Sequence, residues 1–224
     1  LDPAQLTAEW GSPLFVYDGD VLRSRAAVLQ AALPETAEVA FACKANGSPA
    51  VLRTLAQAGL GVDVASGGEL RAALRAGFDP ARIVFTGPGK TDAELAEALD
   101  AGVGALTLES LEELDVVVGF SAIARAGQGL MLRLATEGEA EGLPIISAPR
   151  NVKCGLTDAD ADDAITRLRQ SGAFAPEGPF VLRGIHAFGA STVRDAAVLV
   201  EAAVSLAARA EAIAAVHGVE LESL

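Results

Sequence analysis

Short apolar runs alternate with alanine-rich stretches of helical spacing along almost the whole 224-residue chain. The apolar runs predict strands at 38–43, 61–65, 82–86, 105–108, 130–135 and 182–187. The stretches that follow them predict helices at 49–58, 68–76, 92–101, 111–120, 158–171 and 193–217. Gly77 and Gly102 stand just past two of these helices, where a left-handed residue commonly ends a helix. Such alternation predicts βαβ units and a parallel sheet.

The regular spacing of about six such units favours a (β/α)8 barrel over a doubly wound sheet. A complete barrel has eight strands and about 250 residues, so the chain would supply only about six of the βα units. The pattern alone leaves two interpretations, part of a barrel or an open α/β sheet. We expect residues 1–224 to form one incomplete barrel domain.

Composition narrows the classes of function. Hydrophobic residues make up 51% of the chain, which excludes intrinsic disorder, and we expect no membrane span. Thirty acidic against 17 basic residues, a net charge of −13, argue against nucleic acid as a partner. Two cysteines are too few for a disulfide framework, and together with two histidines they make no zinc site of ordinary spacing. We expect a cytoplasmic protein without a metal.

The strongest local signal for chemistry surrounds Lys44, at the end of the first predicted strand. Because strand side chains alternate, Ala42 and Lys44 would share the face opposite Phe41 and Cys43. Lys44 would then point inward among small residues. Burial lowers the pKa of a lysine, and such an amine can form a Schiff base with a carbonyl such as that of pyridoxal phosphate. The alternative is a lysine that reaches solvent at a strand end.

The second predicted strand and the turn after it carry further polar candidates. Asp63 is flanked by small residues on its face, and a carboxylate there needs a partner. That partner could be Lys44, a bound cation or the backbone of the next loop. The glycines at 67 and 68 open a helix whose N-terminus could bind an anion, or they could simply make the turn.

The last two predicted strands add a charge and two rings. Arg133 stands inside an apolar strand and needs an anion, either on a ligand or in a structural ion pair. His186 and Phe188 share one face of the final strand, where a ring could stack on a flat cofactor. Both could equally be ordinary core residues.

Together these segments resemble the N-terminal part of the fold-type III pyridoxal-phosphate decarboxylases. This family includes ornithine, diaminopimelate and arginine decarboxylases, and its barrel is shared with alanine racemase. The segment 41–46, Phe-Ala-Cys-Lys-Ala-Asn, is similar to the family's cofactor-lysine motif. Segments 10–18, 62–69, 132–136 and 152–155 also resemble family blocks, in the same order. The resemblance implies an alanine-racemase-like barrel, pyridoxal 5'-phosphate as cofactor and a β-domain outside these residues.

The resemblance also implies roles for individual residues. Lys44 would hold the cofactor as a Schiff base and later protonate the product, and Asp63 would lie beside it. Arg133 would line the cofactor site, and Ser191 would lie near the cofactor phosphate.

The chain departs from the family pattern near its sixth strand. The family commonly stacks a histidine on the cofactor ring, but alignment on Ser191 gives that position to Phe188 instead of His186. A subgroup related to carrier-linked decarboxylases has a similar arrangement, so either ring could stack.

The implied activity is α-decarboxylation of an amino acid. The substrate would be a diamino acid such as diaminopimelate or ornithine, or a carrier-protein-linked amino acid. A homodimer with active sites at its interface is also implied. The alternatives are an amino-acid racemase on the same barrel and a non-catalytic homologue that acts by protein binding. Retention of Lys44, Asp63 and Arg133 weighs against the non-catalytic homologue.

Overall fold

A computed structural model describes residues 1–135, 154–174, 177–188 and 195–223. Within them, six parallel strands form one sheet in which each strand pairs with the next along the chain. The strands are β1 (Ala40–Ala42), β2 (Gly61–Val64), β3 (Ile83–Phe85), β4 (Ala105–Leu108), β5 (Gln128–Arg133) and β6 (Phe180–His186). Strand order that follows sequence order is the order of a (β/α)8 barrel, whereas a doubly wound sheet reverses its order. The prediction of part of a barrel is confirmed.

Helices precede, connect and follow the strands, and those that connect consecutive strands cover one face of the sheet. They are α1 (Pro3–Trp10), α2 (Gly19–Ala32), α3 (Pro49–Gln57), α4 (Gly67–Ala76), α5 (Asp92–Ala101), α6 (Leu111–Gly119), α7 (Asp158–Gln170) and α8 (Ala196–His217). None of the helices in the described ranges has the length and apolar content that a membrane crossing needs.

The strand register sorts apolar side chains to the helical face. One row crosses five strands, because in-register pairing joins Val64, Phe85, Leu106, Leu130 and Leu182. All five are buried, and they belong to one cluster with leucines of the covering helices. Burial of each such side chain contributes about 1.5–3 kcal/mol to folding. The core therefore lies between the sheet and the helices. The side chains that alternate with it, such as Asp63 and Arg133, lie on the other face of the sheet.

Polar residues begin α4, α5 and α6, and the two glycines that the sequence predicts end α4 and α5. The side chains of Ser66, Thr91 and Ser110 each accept a hydrogen bond from a first-turn backbone N–H of α4, α5 and α6. Gly77 and Gly102 end α4 and α5 in the left-handed conformation, with φ of 94° and 69°.

The segment after α8 returns to the sheet beside β6. Ser223 forms a parallel bridge with Gly184, and its carbonyl oxygen accepts a hydrogen bond of 3.2 Å from the Ile185 N–H. The Ser223 N–H donates in turn to the Arg183 carbonyl at 2.9 Å. The chain thus enters the seventh strand position in the same direction as the other six strands.

Two helices were not expected from the sequence. Helix α1 buries no residue, and α2 buries only Ala26. A helix without a buried apolar stripe lacks the periodic signal on which a sequence prediction depends. The fifth strand also begins earlier than expected, because the buried Gln128 satisfies its side-chain amide on the Val103 carbonyl at 2.7 Å.

The start of β4 offers a test of backbone packing. A methyl group at Gly104 would collide with the Ala81 carbonyl oxygen, whereas one at Gly119 would meet open space. We expect Gly104→Ala to lower the free energy of unfolding by about 1–3 kcal/mol. Gly119→Ala, at the end of α6, should leave it unchanged or raise it by up to about 1 kcal/mol. Urea unfolding measures both, and equal effects would contradict this description of the sheet.

Candidate active site

The carboxyl ends of the six strands meet at one edge of the sheet, where parallel α/β folds build their sites. Polar side chains are concentrated there. They are Lys44 after β1, Asp63 on β2, Thr86 after β3, Glu109 after β4, Arg133 on β5 and His186 on β6.

Lys44 lies at this edge but is not on a strand. Strand β1 ends at Ala42, and Cys43–Ala45 form a 3-10 turn. Cys43 packs into the core, as the alternation predicts, but Lys44 is exposed. The expectation of a buried lysine is therefore wrong, and the alternative, a lysine that reaches solvent at a strand end, is the one observed. The charge of Lys44 nevertheless acts on Asp63 and His186, in keeping with the face that the alternation predicts. The exposed amine is accessible to a ligand.

Asp63 is hydrogen-bonded to Thr86, which directly follows the neighbouring strand β3. The Thr86 hydroxyl donates a hydrogen bond of 2.6 Å to Asp63 Oδ1. Burial raises the pKa of Asp63, while that hydrogen bond and the charges of Lys44 and Arg133 act in the opposite direction. Sequence reasoning missed Thr86, whose signal is a hydroxyl directly after the apolar strand β3.

Arg133 pairs with a carboxylate that the sequence analysis did not identify. Its Nη1 donates to Glu109 Oε2 at 2.7 Å, and the two side chains are 16% and 3% exposed. The second oxygen of Glu109 accepts a hydrogen bond of 2.7 Å from the Gly87 N–H. Of the two interpretations of Arg133, a ligand anion or a structural ion pair, the structure therefore shows the ion pair. A charged residue between strand β4 and the helix cap Ser110 was the available signal for Glu109.

A second ion pair, between Lys90 and Glu113, is hydrogen-bonded to the backbone of Glu109. Lys90 Nζ is 2.9 Å from Glu113 Oε1, and the Lys90 side chain is fully buried. Burial raises the pKa of Glu113, and Lys90 opposes that shift. The Glu109 N–H donates to the other Glu113 oxygen at 2.8 Å and so connects the two pairs. We call Lys90, Glu109, Glu113 and Arg133 the edge charge network.

His186 is the in-register neighbour of Arg133 on β6. Burial, followed by the positive charge of Arg133, lowers the pKa of His186 to about 4, so the ring is uncharged at neutral pH. Its Nδ1 is buried and has no hydrogen-bond partner among the described residues. Phe188 follows two residues later and is half exposed. Ser191 lies outside the described residues.

The N-terminus of α4, a candidate anion site, already holds an anion of the protein itself. The Gly67 N–H donates to Glu94 Oε1 at 2.7 Å. The backbone N–H groups of Thr91 and Gly67 lower the pKa of Glu94, so it stays ionised there. The helix end is therefore filled by α5, and the interpretation of the glycines as a ligand site is not supported.

Comparison with known proteins identifies the family to which this fold belongs. The family described as "Pyridoxal-dependent decarboxylase, pyridoxal binding domain" matches residues 20–224. The chain belongs to this family. The expected family and its expected cofactor, pyridoxal 5'-phosphate, are thereby confirmed.

Individual relatives narrow the comparison. A diaminopimelate decarboxylase of Neisseria meningitidis is 33% identical over 222 residues, which are 98% of this chain and 53% of that protein. One from Mycobacterium bovis is 39% identical over 156 residues, 69% of this chain and 35% of that protein. The crystal structure of the Helicobacter pylori diaminopimelate decarboxylase with L-lysine superposes with a TM-score of 0.84 at 25% identity, over 98% of this chain and 55% of that one. The chain spans about half the length of the relatives that it matches.

The residues at the sheet edge fit the family's cofactor. Lys44 offers the exposed primary amine that an aldehyde requires. The unpartnered Nδ1 of His186 is a buried polar atom beside Arg133, as in a site completed by a ligand. Lys44, Asp63, Arg133 and His186 would hold the group, which supplies an electron sink when bound.

The depressed pKa of His186 predicts how stability varies with pH. Between pH 6.5 and about 4 the unfolded chain binds a proton that the folded chain excludes, so stability falls as the pH falls through this window. From pH 7 to pH 5 we expect the wild-type protein to lose up to about 2 kcal/mol more than His186→Asn. Urea unfolding at both pH values measures the loss. Asp63 and Glu113, whose raised pKa acts in the opposite sense, are present in both proteins. Equal losses would contradict a buried, uncharged His186.

Proposed function

We propose that this chain is the cofactor-binding part of a pyridoxal-phosphate-dependent α-decarboxylase of a diamino acid. The observation that carries the proposal is the exposed amine of Lys44 at the strand edge, within electrostatic reach of Asp63 and His186. Diaminopimelate is the first substrate to test, because the relatives compared above are named diaminopimelate decarboxylases. Ornithine and a carrier-linked amino acid are the next candidates.

Each residue at the carboxyl edge of the sheet would have its own role in such a reaction. Lys44 Nζ would hold the cofactor and afterwards carry a proton to the substrate α-carbon, which has lost its carboxylate as carbon dioxide. Asp63 would supply negative charge beside that amine. Arg133 would supply positive charge, and the uncharged ring of His186 would border the cofactor without adding charge. Phe188 is the alternative ring, and a role for Ser191 near the phosphate stays a prediction.

Two broader features stay predictions. The resemblance implies a homodimer with active sites at the interface and a cytoplasmic location. Both are part of the proposal and are tested on the assembled enzyme by its mass in solution and by fractionation.

The cofactor lysine can be identified by borohydride reduction with pyridoxal phosphate followed by peptide mapping. The chain has three lysines, Lys44, Lys90 and Lys153. We expect the phosphopyridoxyl group on Lys44 and its loss in Lys44→Ala. Lys90 is the matched internal control, because its buried, ion-paired amine should remain unmodified. An adduct that forms equally well in Lys44→Ala would overturn the assignment.

Release of carbon dioxide from candidate amino acids tests the reaction itself. We expect release from a diamino acid by the wild-type protein and a fall of at least about 1000-fold in Lys44→Ala, since both holding the cofactor and the proton transfer depend on this amine. Racemisation without carbon dioxide release would favour a racemase. An adduct on Lys44 with neither reaction would favour a non-catalytic homologue.

A further inference from the structure

Glu109 is held from three directions at the sheet edge. One carboxylate oxygen accepts from the Gly87 N–H, and the other accepts from Arg133, both at 2.7 Å. Its own backbone N–H donates to Glu113 at 2.8 Å. With its side chain only 3% exposed, this carboxylate has little water with which to exchange these partners. These three partners therefore hold the Glu109 carboxylate in one orientation.

The anchor of this arrangement is the buried Lys90–Glu113 pair. Lys90 contacts Glu113 at 2.9 Å and donates to the Gly87 carbonyl at 2.5 Å, so it binds both α6 and the turn that supplies the Gly87 N–H. The edge charge network contains two acids and two bases and is neutral. Removing one member would leave an uncompensated buried charge, which is costly in an environment of low polarity.

We propose that Glu109 is the positioning residue of Arg133, and that it fixes the guanidinium that faces the cofactor site. This inference rests on the proposed function, because it assigns Arg133 to the cofactor side of the edge. The influence of Arg133 on its surroundings supports it: the charge of Arg133 bears on both Asp63 and His186. Lys44, Lys90 and Glu109 also act on His186.

A double-mutant cycle on the full chain separates positioning from a general structural role. The variants are Glu109→Gln, Arg133→Met and the two combined, and the first measurement is the dissociation constant of pyridoxal phosphate from its absorbance. We expect Glu109→Gln to weaken binding about tenfold, the usual effect of losing a group that orients a ligand-binding residue. In the Arg133→Met background the same change should alter binding less than about twofold, because the residue through which it acts is gone.

A second measurement needs no cofactor. The ¹⁵N–¹H heteronuclear NOE of the Arg133 Nε–H, assigned by its loss in Arg133→Met, reports the mobility of the guanidinium. We expect this NOE to fall in Glu109→Gln. The matched control is Glu112→Gln, an exposed carboxylate on the same helix turn as Glu113, which should change neither measurement. Thermal unfolding checks that each variant is folded. The combined variant removes both charges of the Glu109–Arg133 pair and leaves neither unpaired, so we expect it to fold and to complete the cycle.

The outcomes separate this inference from the proposed function. Additive effects on the dissociation constant would overturn the positioning role, as would a wild-type dissociation constant and NOE in Glu109→Gln. If the wild-type chain binds no pyridoxal phosphate, the proposed function loses its support, and the NOE alone decides whether Glu109 positions Arg133.

Discussion

Parallel pairing of consecutive strands is the constraint on which the rest of this structure depends. Because every strand runs in the same direction, all six carboxyl ends meet at one edge. The same register that buries Val64, Phe85 and Leu106 against the helices leaves the residues at the strand ends close to one another. Asp63 and Thr86, far apart in the chain, become hydrogen-bond partners in this way. The site is thus a consequence of how the core is formed.

Charge is balanced locally along this edge. Each buried base has an acid within 3 Å, with Lys90 at 2.9 Å from Glu113 and Arg133 at 2.7 Å from Glu109. Such pairs lose hydration free energy, which their mutual attraction and hydrogen bonds offset, so their net contribution to stability is small. Asp63 and His186 differ in their partners: Asp63 accepts a hydrogen bond from the Thr86 hydroxyl, and Nδ1 of His186 has no hydrogen-bond partner among the described residues. These two groups and the exposed Lys44 can therefore still bind a ligand.

The sequence was sufficient for the fold and for half of the site. Strand β4 and helix α5 have the bounds that periodicity predicts, because strong local signals frame them. Asp63 and Arg133 were recognised as charges in need of partners. Their partners Thr86 and Glu109 were missed, since they lie 23 and 24 residues away and only the strand register joins them. The predicted burial of Lys44 was wrong, because alternation indicates the face on which a side chain lies and not how far solvent reaches it.

The Glu94 carboxylate at the start of α4 has a consequence for any anionic ligand. It accepts the hydrogen bond of the Gly67 N–H and stays ionised, so a phosphate approaching this helix would meet a charge of the same sign. The start of α4 is therefore an unfavourable place for the phosphate of a ligand. The consequence for a phosphorylated ligand at this edge is that its phosphate is favoured only away from the start of α4.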